Sequence, residues 1–189
     1  MVIGWLTTRR MALLAFALGG LWLSPTPSGA DPAAPGVDPD DPFETGETIR
    51  LPEGRLQLVS GTDEVAFFIA LDLTKRSGDR VNYWVYGAYV PGYAMAEGPV
   101  VQEFSRLSID CKARTVRTWG ATGFLESGRV VVSLPARGFK AGPIEEGSAY
   151  DFQARVLCDG VQMPASNTMM GHAQALAVAR IMLKPKSQS

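Results

Sequence analysis

The stretch Leu107-Ser108-Ile109-Asp110-Cys111-Lys112-Ala113-Arg114-Thr115-Val116-Arg117 decides the scaffold. Leu107, Ile109 and Cys111 alternate inward while Arg106, Ser108 and Asp110 face outward, and alternation resumes over residues 114–119. Residues 100–111 and 114–119 therefore read as a hairpin. The Cys-Lys-Ala turn is short, so its register stays open. Cys158, the other of the two cysteines, closes a second strand-like run, in which Phe152, Ala154, Val156 and Cys158 alternate inward and Asp151, Gln153 and Arg155 face out. With no Cys-x-x-Cys spacing, the pair reads as a structural disulfide between Cys111 and Cys158 rather than a reactive dithiol or a metal site.

Working outward, residues 64–73 place Val65, Phe67, Ile69, Leu71 and Leu73 on one face. Gly78, with Ser77 and Asp79, supplies a turn, and residues 80–90 resume alternation. Val81, Tyr83, Val85 and Tyr89 share one side of this arm, and Asn82, Trp84, Tyr86 and Val90 the other. Both sides carry aromatic bulk, so either both are covered or one is an exposed patch. Residues 128–134 form a further strand ended by Pro135. Ser166 or Asn167 can cap a helix over residues 168–183, whose Met169, Ala173, Leu176, Arg180 and Leu183 recur at helical spacing beside Ala177 and Ile181. The fold class is α+β: an antiparallel sheet of about six strands with a C-terminal helix packed on it and one disulfide.

Residues 1–30 read as a signal peptide, with Arg9 and Arg10 before an apolar run and small residues up to Ala30 at the cleavage site. The apolar run is too short to span a bilayer, which predicts a periplasmic or secreted protein with no membrane span after cleavage. Thr8-Arg9-Arg10 fits both a twin-arginine and an ordinary secretory signal. Residues 31–47 form a proline-rich linker with six acidic residues and no basic one, too polar to bury itself. Residues 48–189 form a single domain. Without Arg9 and Arg10 the chain carries sixteen basic and nineteen acidic residues, which excludes the basic footprint of nucleic-acid binding.

Catalytic groups are scarce. His172 is the only histidine, so a multi-histidine zinc site is impossible and a triad would rest on it alone; it reads as a helix residue. The acidic pairs Asp40-Asp41, Asp63-Glu64 and Glu145-Glu146 read as solvated surface, and no phosphate loop or nucleophile elbow appears. No catalytic residue, metal or cofactor is expected. Arg106, Arg114 and Arg117, with Lys112 beside them, form the one basic group. They either bind carboxylate or sulfate groups across the hairpin or pair with Asp110, Glu103 or Glu126.

Residues 83–89 (Tyr-Trp-Val-Tyr-Gly-Ala-Tyr), 105–117 with Asp110-Cys111-x-x-Arg114, Gly128, residues 143–148 and Val156-Leu157-Cys158 together resemble the bacterial surface-adhesin protein E family. The resemblance implies an antiparallel sheet, a disulfide, a helix lying on the sheet, and adhesion to host matrix proteins and plasminogen. Two features depart from the family pattern: no tryptophan precedes Pro143, and no lipid-bearing cysteine stands at the expected mature N-terminus.

These readings converge on an exported, non-catalytic domain of the cell envelope that binds a protein or small ligand. Trp84, Tyr86 and Tyr93 are the expected aromatic contacts, with Arg106, Arg114 and Arg117 as basic ones, and the expected partner is an envelope or extracellular protein. The alternative is a structural or assembly component of an envelope complex without a ligand of its own.

Overall fold

A computed structural model describes residue 43, residues 49–135 and residues 139–183. The expected signal peptide and nearly all of the linker lie outside the described residues. The strands are β1 (Arg55–Gly61), β2 (Val65–Ala70), β3 (Lys75–Ser77), β4 (Arg80–Tyr93), β5 (Val100–Asp110), β6 (Thr115–Phe124), β7 (Val130–Pro135), β8 (Gly142–Pro143) and β9 (Thr168–Met170). They form one antiparallel sheet in the order β7-β6-β5-β4-β2-β1-β9, with β3 beside β4 and β8 beside β6. About six strands were expected and nine are found among the described residues: β1 was not among those expected, β3, β8 and β9 are two or three residues long, too short for sequence alternation to show, and the expected strand over residues 150–158 is a helix.

Strand β4 sits at the centre, and its two faces serve different cores. Val81, Tyr83 and Val85 join Val59, Ile69, Leu107 and Ile109 on one side, under helix α1 (Ala149–Leu157). Tyr86 and Ala88 join Leu56, Phe68, Phe104 and Phe124 on the other, under helix α2 (Gly171–Met182). Both sides of the aromatic arm are therefore covered. The hairpin of residues 64–90 is present, but β2 ends at Ala70 and residues 71–73 make a 3-10 turn.

The stretch read as a final strand, residues 150–158, is helix α1. Ser148 caps it, its Oγ accepting from the Asp151 amide at 3.2 Å. Ala154 and Gln153 are buried and Phe152 is exposed, so the side chains follow a helical period rather than the alternation of Phe152, Ala154, Val156 and Cys158. A seven-residue alternation is too short to outweigh a good cap. Tyr83 donates a buried hydrogen bond to Gln153 Oε1 at 2.7 Å, which joins helix to sheet and satisfies two groups that would be costly to bury alone.

At the C-terminus, residues 168–170 pair with β1 as β9, so the helix starts at Gly171, after Met170 rather than after Ser166 or Asn167. Its buried stripe is Ala175, Leu176, Ala179 and Leu183, while Ile181 is 73% exposed. Starting the helix three residues later rotates the stripe away from Ala173, Ala177 and Arg180. Ser108, expected outward, is buried beneath Trp119.

The hairpin turn after β5 is made by residues 111–114. Asp110 Oδ1 accepts from the Ala113 amide at 2.7 Å, and Arg114 adopts a left-handed φ of 52°. Cys111 just after β5 is bonded to Cys158 at the C-cap of α1, as expected, and Arg114 reaches Asp151 in the first turn of that helix at 3.1 Å and Asp159, just past its C-cap, at 3.2 Å. The crosslink closes a 47-residue separation, for which the chain-entropy model gives about 4 kcal/mol. Cys111→Ser is expected to lower the melting temperature by roughly 10 °C or more while the folded fraction keeps its far-ultraviolet circular dichroism. An unchanged melting temperature would show that α1 is held without the crosslink.

Candidate functional site

Helix α2 packs on β1, β2, β4 and β9, covering the Tyr86, Phe104 and Phe124 end of its face. At the other end of that face, β4, β5 and β6 bring together Arg80, Ser108, Asp110, Thr115, Arg117 and Trp119, which with Ala141 line an open cleft of about 350 Å³. Strand register explains the meeting: Arg80 lies opposite Asp110, and Ser108 opposite Arg117. The pairing shifts between Arg106 and Leu107, where Trp119 is the extra residue on β6. Trp119 is only 2% exposed and donates its indole N–H to Ser108, forming a rigid floor.

The Arg117 guanidinium lies 3.6 Å from the centre of the Trp119 ring. A guanidinium stacked in this way keeps its edge donors in plane, the geometry that meets a carboxylate bidentately. Next to it, Arg106 donates to the Trp119 carbonyl at 2.9 Å and stands 6.0 Å from the Trp84 ring. Trp84 in turn stacks on Phe104 at 4.5 Å. Phe43, from the acidic proline-rich stretch, meets Trp84 edge-on at 5.6 Å and lies 5.7 Å from the Arg106 guanidinium.

The residues singled out in the sequence thus divide among four places. Trp84, Arg106 and Arg117 share the cleft face. Tyr86 is fully buried under α2, its hydroxyl donating to Gln102 at 2.9 Å, and a ring with no exposed surface serves the core. Arg114 is engaged by Asp151 and Asp159 beside the disulfide rather than by Asp110, Glu103 or Glu126. Tyr93 lies on the opposite face against Tyr89. His172 stands in α2 with Nδ1 3.3 Å from the Pro52 carbonyl and 3.4 Å from Glu53. Arg80, Trp119 and Phe43 were not singled out, since their meeting depends on a register that the turn sequence leaves open.

The model of the family described as surface-adhesin protein E matches residues 56–159, more than half of the 189-residue chain. The chain belongs to that family. No curated protein and no solved structure matches it. The matched span runs from β1 to just past α1, so it contains the cleft and the disulfide, while β9 and α2 lie beyond it. Within this adhesin-family domain, no group of three or more His, Cys, Asp or Glu among the described residues could hold a metal ion, and no described helix is long and apolar enough to cross a membrane.

The five tyrosines share one electrostatic trait. Burial holds the phenols of Tyr83, Tyr86, Tyr89 and Tyr150 above their usual range, and burial together with the Glu103 charge pushes Tyr93 up to about 12. A phenol whose folded pKa exceeds its unfolded value near 10 contributes stability that is complete below about pH 10 and is lost as pH rises toward 12. Phenolate absorbance is therefore expected to lag that of free tyrosine above pH 10 and to rise together with loss of circular dichroism. Free titration near pH 10 with the fold intact would contradict the burial.

Proposed function

We propose that this family member is an exported, non-catalytic binding module whose Arg–Trp face takes a carboxylate-rich protein segment. The observation that carries the reading is Arg117 stacked on the buried Trp119 beside Arg80 in an open cleft, with Arg106 and Trp84 continuing the same face. Among the described lining residues, Arg80 and Arg117 stand with the one carboxylate of Asp110. Phe43 supports the choice of ligand: it comes from Asp40-Asp41-Pro42-Phe43-Glu44, and its ring touches Trp84 and Arg106. An acidic segment with an embedded aromatic matches both features of the face, charge for the guanidinium groups and a ring for the tryptophan. The expected home is the periplasm or the exterior, with cleavage after Ala30; the disulfide and the family support it, because such bonds persist in oxidising compartments.

The test uses the mature chain and a fluorescent Asp-Asp-Pro-Phe-Glu peptide, followed by polarisation. Arg117→Ala is expected to weaken binding about tenfold, or ~1.4 kcal/mol, with Arg117→Lys intermediate because it keeps the charge and loses the planar fork. Phe43→Ala should strengthen binding by removing the chain's own ring from the platform, and added salt should weaken it. Equal affinities for the parent, Arg117→Ala and Arg80→Ala would refute the site.

A further inference from the structure

On the opposite face, helix α1 covers the Val81, Tyr83, Leu107 and Ile109 end of the sheet, and the other end is built around Glu103. This residue lies directly across from Gly87 on β4 and from Gly123 on β6. Having glycine on both sides lets neighbouring side chains close in over each: a Cβ at position 87 would come 3.3 Å from the Tyr89 ring, and one at position 123 would come 2.7 Å from Val132 and 3.1 Å from the Tyr93 hydroxyl. The two rings pack edge-on, 5.1 Å apart, and the half-buried Glu103 carboxylate meets the pair at the Tyr89 hydroxyl.

Glu103 is held in place by neutral donors: Ser105 Oγ at 2.6 Å and the Tyr89 hydroxyl at 3.3 Å. Among the described residues no Lys, Arg or His pairs with it at ion-pair distance. Tyr150, at the start of α1, is near enough for its phenol to respond to the same charge. Tyr93 and Tyr150 are each 36% exposed, so the arrangement opens to solvent. A fixed carboxylate beside partly exposed tyrosine rings attracts a cation by two routes, direct charge and the quadrupole of a ring face within reach.

We propose that Glu103, Tyr89, Tyr93 and Tyr150 form a second binding site, one for an organic cation: the ammonium of a basic side chain or of a small quaternary amine. The site lies on the opposite face from the Arg–Trp cleft and stands independently of the function proposed for that cleft.

Tyrosine-ring NMR on the mature chain tests it with a built-in control, since Tyr83 and Tyr86 are buried in the two cores. Titration with Nα-acetyl-lysine methylamide or with tetramethylammonium chloride is expected to shift the Tyr89, Tyr93 and Tyr150 resonances and leave Tyr83 and Tyr86 still. A preference for the lysine derivative assigns the site to a protein partner, and a preference for tetramethylammonium to a small amine. Glu103→Gln, which removes the charge and leaves one oxygen to accept from Ser105 or Tyr89, should weaken binding about tenfold. Tyr93→Leu removes one exposed wall and should weaken it several-fold, which provides a second measure should Glu103→Gln disturb the core signals. Shifts no larger than those from sodium chloride, equal shifts from the neutral Nα-acetyl-norleucine methylamide, or undiminished affinity in both variants would overturn the proposal.

Discussion

Strand β4 is buried on both faces, and that double burial is the constraint from which the architecture follows. A strand that alternates Val81, Tyr83 and Val85 with Trp84, Tyr86 and Ala88 offers apolar surface in both directions, so one covering helix cannot satisfy it. Leaving either face to water would forgo roughly 1.5–3 kcal/mol per large side chain. The chain answers with α1 on one face and α2 on the other. Each cover is pinned differently: α1 by the Cys111–Cys158 bond, the buried Tyr83–Gln153 hydrogen bond and the Arg114 ion pairs, and α2 by β9, which joins the sheet edge immediately before the helix begins.

Two short helices of nine and twelve residues cannot blanket a sheet whose central strands run to fourteen and eleven residues. Each covers one end of its face, and they cover opposite ends. On the α2 face the uncovered end holds Arg80, Arg117 and Trp119. On the α1 face it holds Glu103, Tyr89 and Tyr93. Arginines stand in one of these regions and Glu103 in the other, each beside aromatic rings. This placement follows from the covers: where a helix packs, the sheet residues must be apolar, and where none packs they are free to be charged.

The sequence made the central arm legible because its alternation is long and both faces carry large residues. It also revealed the disulfide, since two cysteines allow one pairing. It misplaced α1, where Phe152, Ala154, Val156 and Cys158 mimic a strand and only Ser148, capping three residues ahead, argues for a helix. A local pattern of nine residues can support either period, and the decision came from tertiary contacts, Tyr83 to Gln153 and Cys111 to Cys158. The start of α2 moved for a similar reason, because residues 168–170 pair with β1, and the Met170 amide donates to the Gln174 side chain at 2.6 Å.

The candidate site was half legible. Arg106 and Arg117 were grouped as neighbours on one hairpin, but with Arg114, which pairs elsewhere, and Trp84 was singled out separately with Tyr86 and Tyr93. Joining them to Arg80 and Trp119 needed the register of three strands, and that register includes a bulge at Trp119. Without the extra residue, position 119 would fall into simple pairing with β5, and Arg117 would lose the tight stack beneath it. The same dependence applies to Glu103, whose surroundings are defined less by what lies beside it in sequence than by the two glycines across from it. Functional geometry in this domain therefore resides in cross-strand pairing, a property that alternation along any one strand does not encode.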